Sequence, residues 1–356
     1  MSGGILKPGD LVLVTGGAGY VGSHLIGLLL DRGYRVRVLD TFLYGDAGLR
    51  AYRSEPAVEV HYGDVCNIRD MMRATRGIKA LIALAALVGD GACELDHDET
   101  VAINIESTKL LCQVVNLNPD VERVVFASSC SVYGATEGLV LNEGSRLNPV
   151  SFYARSRIVS EGILDRELEG RSVVTLRLGT VFGASARMRF DLMINTMTWK
   201  AVSEGKITVT GGEAWRPHVH VRDVATAFAV AAEASDEKVR GETFNVGGDN
   251  NNFTISETAA QVANNVPGTE IEYAETTEDL RSYRVSFDKI RHVLDFAPRY
   301  AIDDGVREIV SLIEKNGFNG NDECYSNLRY LQTYGFTGER CAPADAEDPV
   351  LGQTAS

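Results

Sequence analysis

Tyr153 stands four residues ahead of Arg157 in the stretch FYARSR (152–157). On a helix, residues four apart share a face, so the phenol lies beside a guanidinium. A phenol that ordinarily ionises near pH ~10 must be made more acidic by roughly 4–5 kcal/mol to act as a base at neutral pH. A unit charge about 5 Å away, at an effective dielectric of ~20, contributes roughly 3 kcal/mol of that. The pair reads either as a tyrosine acid/base with a cationic helper or as an ordinary helix-surface contact. Upstream, FASSCSVYG (126–134) ends a β-branched run in small hydroxyl residues. Ser129 and Ser131 there can hydrogen-bond a substrate hydroxyl, or can merely satisfy a turn. Cys130, between them, reads as a buried, inert thiol.

A second stretch, TGGAGYVGSH (15–24), spaces Gly16, Gly19 and Gly22 around Tyr20 and Val21. Glycines so placed permit a tight turn, close approach of the backbone to a pyrophosphate, and close packing of a helix on a sheet. The exposed amides of the following helix then hold the anion. Asp40 lies about twenty residues on, where a carboxylate can take both ribose hydroxyls and repel a 2′-phosphate, so NAD is expected rather than NADP. Asp64 and Val65, after the third predicted strand, are placed against an adenine, and Ala85, after the fourth, beside the same cofactor. The sequence has no GxxxxGK followed by Ser or Thr, which sets aside a P-loop NTPase.

These groups need a frame. LVLVTG (11–16), RVRVLD (35–40), VEVHYGD (58–64), KALIALAA (79–86), VERVVFASS (121–129) and SVVTLRL (172–178) read as strands. They alternate with helices over 20–32, 67–77, 98–117 and 152–169, a rhythm that predicts an α/β fold with a doubly wound parallel sheet. Beyond 180 the pattern loosens. A helix over 187–203, a strand near 207–209 and the strand PHVHV (217–221) come next. Asp223 is expected to cap a helix over 224–234. ETFNVGG (242–248) and helices over 255–265 and 303–316 complete the reading. The domain expectation is a Rossmann domain over 1–180, to which 217–248 returns, with a smaller C-terminal α/β substrate-binding lobe from 181–216 and 249–316. Residues 317–356 form a weakly periodic extension whose last dozen residues are expected to be disordered.

The 356 residues include 35 Lys and Arg against 49 Asp and Glu, a net charge of −14. A field of that sign disfavours nucleic acid and anionic membranes as partners, so an anionic ligand needs a local basic pocket. Apolar runs such as ALIALAALV (80–88) are too short to span a bilayer, and MSGGILKPGD lacks the apolar core of a signal peptide. Six cysteines without CxxC spacing read as reduced thiols of a cytoplasmic protein. No metal site is expected, since His218 and His220, on one strand face, lack a third ligand and are assigned to packing.

Taken together, TGGAGYVG, Asp40, ASSCSVYG and the Tyr-x-x-x-basic helix resemble the extended short-chain dehydrogenase/reductases. More narrowly they resemble the NAD-dependent nucleotide-sugar epimerase/dehydratase group, over roughly residues 10–315. The resemblance implies that Ser129 is the catalytic hydroxyl, that Tyr153 is the acid/base, and that the basic residue four later binds the nicotinamide ribose. Here Arg157 replaces the group's lysine: it carries the same charge but not the compact ammonium. Dehydratases of the group place Asp-Glu directly after the catalytic hydroxyl. Cys130 and Ser131 occupy those positions, which disfavours dehydration, and Ser131 matches a second small hydroxyl of sugar 4-epimerases.

Arg216, in EAWRPHVHVRDVA (213–225), and Arg281, in EDLRSYRVSFDKI (278–290), are implied to meet a nucleotide diphosphate; the plain alternative for each is a surface arginine. Thr180, in RLGTVFG, stands where sugar epimerases often carry asparagine. The stretch LVGDGAC (87–93) is a candidate wall of the site. The implied activity is epimerisation of a nucleotide-diphosphate sugar, at C4, by a homodimer joined through helices 98–117 and 152–169. A nucleotide-sugar oxidoreductase or ketoreductase and a non-catalytic NAD-binding protein stay open as alternatives.

Overall fold

The computed structural model describes residues 5–274 and 281–336. Its strands are β1 (Leu11–Thr15), β2 (Arg35–Asp40), β3 (Val58–Tyr62), β4 (Ala80–Ala83), β5 (Arg123–Ser129), β6 (Ala135–Leu141) and β7 (Val173–Leu178). They continue with β8 (Thr180–Phe182), β9 (Lys206–Val209), β10 (Trp215–His220), β11 (Glu242–Val246), β12 (Asn252–Thr254), β13 (Glu270–Tyr273) and β14 (Ser282–Val285). The main sheet has seven strands in the order β11-β7-β5-β4-β1-β2-β3. All its neighbours are parallel. From β1 the chain winds outward to β3, then crosses back to β4 and winds the other way. The crevice where the order reverses, above the carboxyl ends of β1 and β4, is where sheets of this kind take ligands.

Both faces of the sheet are covered, which is why β1 (LVLVT) and β4 (ALIA) are wholly buried and, Thr15 aside, apolar. Helices Gly22–Asp31 and Val221–Glu233 lie together on one face, over Val12, Val14, Val36 and Phe244. Helices Ser107–Leu117 and Phe152–Glu167 lie on the other, over Leu13, Leu81 and Phe126. The helix expected over 98–117 starts at His97, capped by the Asp96 carboxylate, and carries a π turn at Ala102–Glu106 before running on to Leu117.

A second core gathers Phe182, Ile194, Ile207, Ile255 and Val306. Around it stand the β8–β10–β12 sheet, the β9–β13 pair and helices Met193–Glu204, Ile255–Asn265 and Ile302–Asn316. Thr254 and Glu257 form a reciprocal capping box at the start of the second of these helices.

Two expectations need correction. Asp223 is not a helix cap: the helix begins at Val221, and the His220 ring accepts from Arg222 N. Asp223 instead accepts from the amides of Arg299 and Tyr300, at 2.9 and 3.1 Å. The helix expected over 187–203 spans Met193–Glu204; Asn195 holds the preceding segment in loop form, donating to Arg189 O and accepting from Gly183 N. Within the weakly periodic extension after Gly317, Asn327–Tyr334 is a helix capped by Ser326. The expectation for the last dozen residues lies outside the described residues.

Candidate active site

A cavity of about 1630 Å³ opens at the carboxyl ends of the central strands. Every residue singled out above as a cofactor, substrate or catalytic candidate lines it, as does the stretch Leu87–Ala92.

The glycine turn forms one wall. Gly16 has φ +71°, and a Cβ there would stand 2.7 Å from Ala85 N, so the end of β1 and the segment after β4 touch through a residue without a side chain. A Cβ on Gly22 would stand 2.5 Å from Gly17 O, which fixes the close entry of the first helix. Gly19 N donates to Gly16 O at 3.1 Å and closes the turn. Tyr20 uses its side chain for scaffolding: its hydroxyl donates to Gly183 O at 2.6 Å and accepts from Asn195 Nδ2 at 3.1 Å. Burial pushes that phenol well above its ordinary range.

Asp40, at the end of β2, accepts from Ala18 N at 2.9 Å and Phe42 N at 2.8 Å. Burial pushes its carboxyl up, against the pull of these amides and of Arg187. Phe42 takes the left-handed conformation at φ +57°, and its ring stacks on Tyr62, with centroids 6.0 Å apart. Asp64 is exposed and holds Cys66 N at 2.8 Å.

The opposite wall carries the hydroxyl pair. Ser129 ends β5 in extended form and caps the Cys130–Tyr133 turn by accepting from Ser131 N at 3.1 Å. It also lies close enough to the Tyr153 phenol to favour that group's ionisation, so the turn role and a place beside Tyr153 coexist. Arg157 is 3% exposed, its guanidinium 5.6 Å from the ring centroids of both Tyr153 and Phe126. Its Nη1 donates to Ala127 O at 3.3 Å.

Burial pushes the Tyr153 phenol above its ordinary value, and Arg157 and Ser129 oppose this without reversing it. The guanidinium alone therefore does not bring this phenol below its ordinary range. Cys130 is buried, its thiol pushed far up by that burial, and its Sγ points to Arg177 O at 3.3 Å. Ser131 Oγ is buried with no partner among the described residues.

Behind the wall, Glu161 receives Arg177 through Nε at 3.1 Å and Nη2 at 2.6 Å, and Ser128 Oγ at 2.5 Å. Arg177 also donates to the Tyr133 hydroxyl at 3.0 Å, which donates to Asn245 Oδ1 at 2.8 Å. This buried network ties the Tyr153 helix to β5, β7 and β11.

Arg216 is buried, 5.5 Å from the Tyr283 ring, and donates to Trp215 O at 2.8 Å and to Arg281 O. Arg281 pairs with Asp90. Thr180 stands beside His218 in the β8–β10 register. His218 and His220 are buried and bonded to Thr258 and Glu308 at 3.1 and 3.0 Å.

Among the cavity residues that sequence reasoning missed are Tyr44, Arg187, Asn327 and Leu328. The run RMRFD (187–191), two arginines and an acid just past a strand, was the available signal.

Residues 12–247 match the sequence profile of the NAD dependent epimerase/dehydratase family. The chain belongs to that family. The UDP-glucose 4-epimerase of Halalkalibacterium halodurans is 28% identical over 81% of this chain and 91% of its own length. The dTDP-glucose 4,6-dehydratase of an Actinoplanes species is 27% identical over 86% and 98%. Among solved structures, MoeE5 in complex with UDP-glucuronic acid and NAD superposes with a TM-score of 0.74 at 27% identity, over 86% of this chain and 99% of that one.

NAD is the family's cofactor, and the residues present fit it. Arg157 Nε and Nη2 are buried in the cavity wall with no partner among the described residues, two donors suited to ribose hydroxyls. No helix among the described residues is long and apolar enough to cross a membrane. No group of His, Cys, Asp and Glu among them is placed to hold a metal ion.

Proposed function

We propose that this family member is a nucleotide-sugar epimerase acting at C4, through a transient 4-keto sugar. The observation that carries this reading is the chemistry beside Tyr153 and Ser129. The carboxylate whose charge reaches Tyr153 is Asp90, and it is engaged by Arg281. The two positions after Ser129 hold a buried thiol and a hydroxyl, so neither supplies the proton that elimination of water from the sugar requires.

When bound, NAD supplies one acceptor and donor of hydride. Tyr153 then takes the proton of the C4 hydroxyl and later returns it, with Ser129 holding the same oxygen. Arg157 stabilises the phenolate, and its free N–H groups orient the ribose. Arg216 and Arg281 are assigned to the substrate diphosphate, anchoring it while the sugar ring turns. Asp40 and the glycine turn hold the adenosine side, and Asp64, Val65 and Ala85 border it. Thr180 and Ser131 face the sugar in this reading. The substrate lobe is assigned to residues 181–216 and 249–316. The chain works as a cytoplasmic homodimer in which the exposed Val159 and Leu117, on adjacent helices, are covered.

The test is chromatography with mass spectrometry on the purified protein, NAD and a panel of UDP-, dTDP- and GDP-sugars. A product of unchanged mass and shifted retention is expected. Loss of water, or net gain or loss of two hydrogens, overturns the reading in favour of a dehydratase or an oxidoreductase.

A further inference from the structure

One corner of the cavity belongs neither to the glycine turn nor to the Tyr153 pair. Arg187 is 5% exposed and lies over Tyr44, its guanidinium carbon 4.5 Å from the ring centroid. Its Nη2 donates to Asn327 Oδ1 at 2.7 Å. Its Nε and the Tyr44 hydroxyl are both buried with no hydrogen-bond partner among the described residues. All three residues line the cavity.

The charge of this corner is unbalanced. Asp191, whose charge reaches Arg187, is taken by Arg189, through Nε at 2.9 Å and Nη2 at 3.0 Å. Its Oδ2 also accepts from Asn327 N at 2.9 Å. Arg187 itself has no carboxylate within ion-pair distance among the described residues, an arrangement that is unfavourable for a buried guanidinium unless an anion completes it. A guanidinium held over an aromatic ring is also prepared for recognition of phosphate oxygens.

The location indicates which anion. The segment carrying Arg187 is fastened onto the glycine turn, by the Tyr20 hydroxyl to Gly183 O and by a 3.0 Å bond between the Ser23 and Ser185 hydroxyls. Arg187 is also one of the charges felt by Asp40. The corner thus adjoins both the phosphate-binding turn and the ribose acid, the span that a dinucleotide's pyrophosphate crosses.

We propose that Arg187, stacked on Tyr44 and braced by Asn327 of the C-terminal extension, binds the pyrophosphate of the cofactor. The turn amides hold the anion from one side and this guanidinium from the other. Cofactor affinity is then a joint property of the first βα turn, the segment after β8 and the extension.

The test is calorimetric titration of the full-length chain, freed of retained nucleotide, with NAD, ADP-ribose and adenosine. Arg187→Gln is expected to weaken NAD and ADP-ribose by about tenfold or more and to leave adenosine, which lacks the pyrophosphate, unchanged. Tyr44→Phe removes a single hydroxyl and is expected to weaken the first two by about threefold, with an unchanged melting temperature. Equal loss for all three ligands in both variants overturns the proposal, because it reports general damage to the site. So does unchanged NAD affinity with weakened binding of the nucleotide sugar, which would reassign Arg187 to an acidic group of the substrate.

Discussion

At Tyr153 burial and Arg157 pull the phenol in opposite directions, and burial prevails. A phenol held protonated is a poor base, so turnover that begins with proton removal must rise as the pH rises towards the alkaline side. Removing the charge in Arg157→Met takes away the main lowering influence. The ascending limb of the pH–rate profile should then move to higher pH, with turnover at neutral pH falling about 10²-fold. Arg157→Lys keeps the charge and should leave that limb in place, changing cofactor affinity instead. Profiles of kcat at saturating substrate separate the two variants. Tyr153→Phe should lower kcat by about 10²–10⁴-fold while calorimetry shows NAD still bound; an active variant would remove Tyr153 from the mechanism.

Among the elements, the Tyr153 helix is positioned by Glu161, two turns below the phenol. Glu161 and Arg177 are nearly buried, at 9% and 7% side-chain exposure. Glu161→Leu strips Arg177 of its partner inside the protein and should destabilise the fold by about 3–5 kcal/mol in urea titrations. An unchanged midpoint would show that the helix is held by packing alone. The network was not legible beforehand, because nothing in the sequence signals that Glu161 of a helix meets Arg177 of the strand beneath it. The glycine turn, Asp40 and the Tyr153–Arg157 spacing were legible, because each is set by contacts within one turn or one βα unit. The helix expected over 187–203 began too early because Asn195, a residue that looks unremarkable in sequence, reaches back to Arg189 O and Gly183 N.

At the scale of the molecule, His24 joins the first helix to the segment after β8 through Ala184 O at 2.8 Å. Burial pushes its imidazole down from an ordinary 6.5 to about 4. Between those values the unfolded chain takes up a proton that the folded chain refuses. Stability is therefore full above pH 6.5 and falls as the pH drops towards 4, by up to about 3 kcal/mol from this group. Melting curves across that range should flatten in His24→Asn; an identical slope would assign the acid loss elsewhere.

The extension is the part of the molecule that sequence reading missed most completely. Its helix is short, and its periodicity makes sense only against partners far away in the chain. Tyr330, 0% exposed, packs with Leu87, Ala92 and Cys93. Tyr330→Ala should cost about 3–5 kcal/mol and make the buried Cys93 thiol reactive to a thiol reagent in the folded protein.

That contact has a consequence for synthesis. Asn327–Tyr334 is made more than two hundred residues after the segment it covers. At about 5–20 residues per second, Leu87 and Cys93 leave the ribosome roughly ten to fifty seconds before their cover exists. Through that interval the nascent chain shows apolar surface where the finished protein has a wall. A message truncated before Asn327 yields a protein that keeps this surface exposed and is open to chaperones and proteases. Asn327–Tyr334 thus closes this wall late in synthesis.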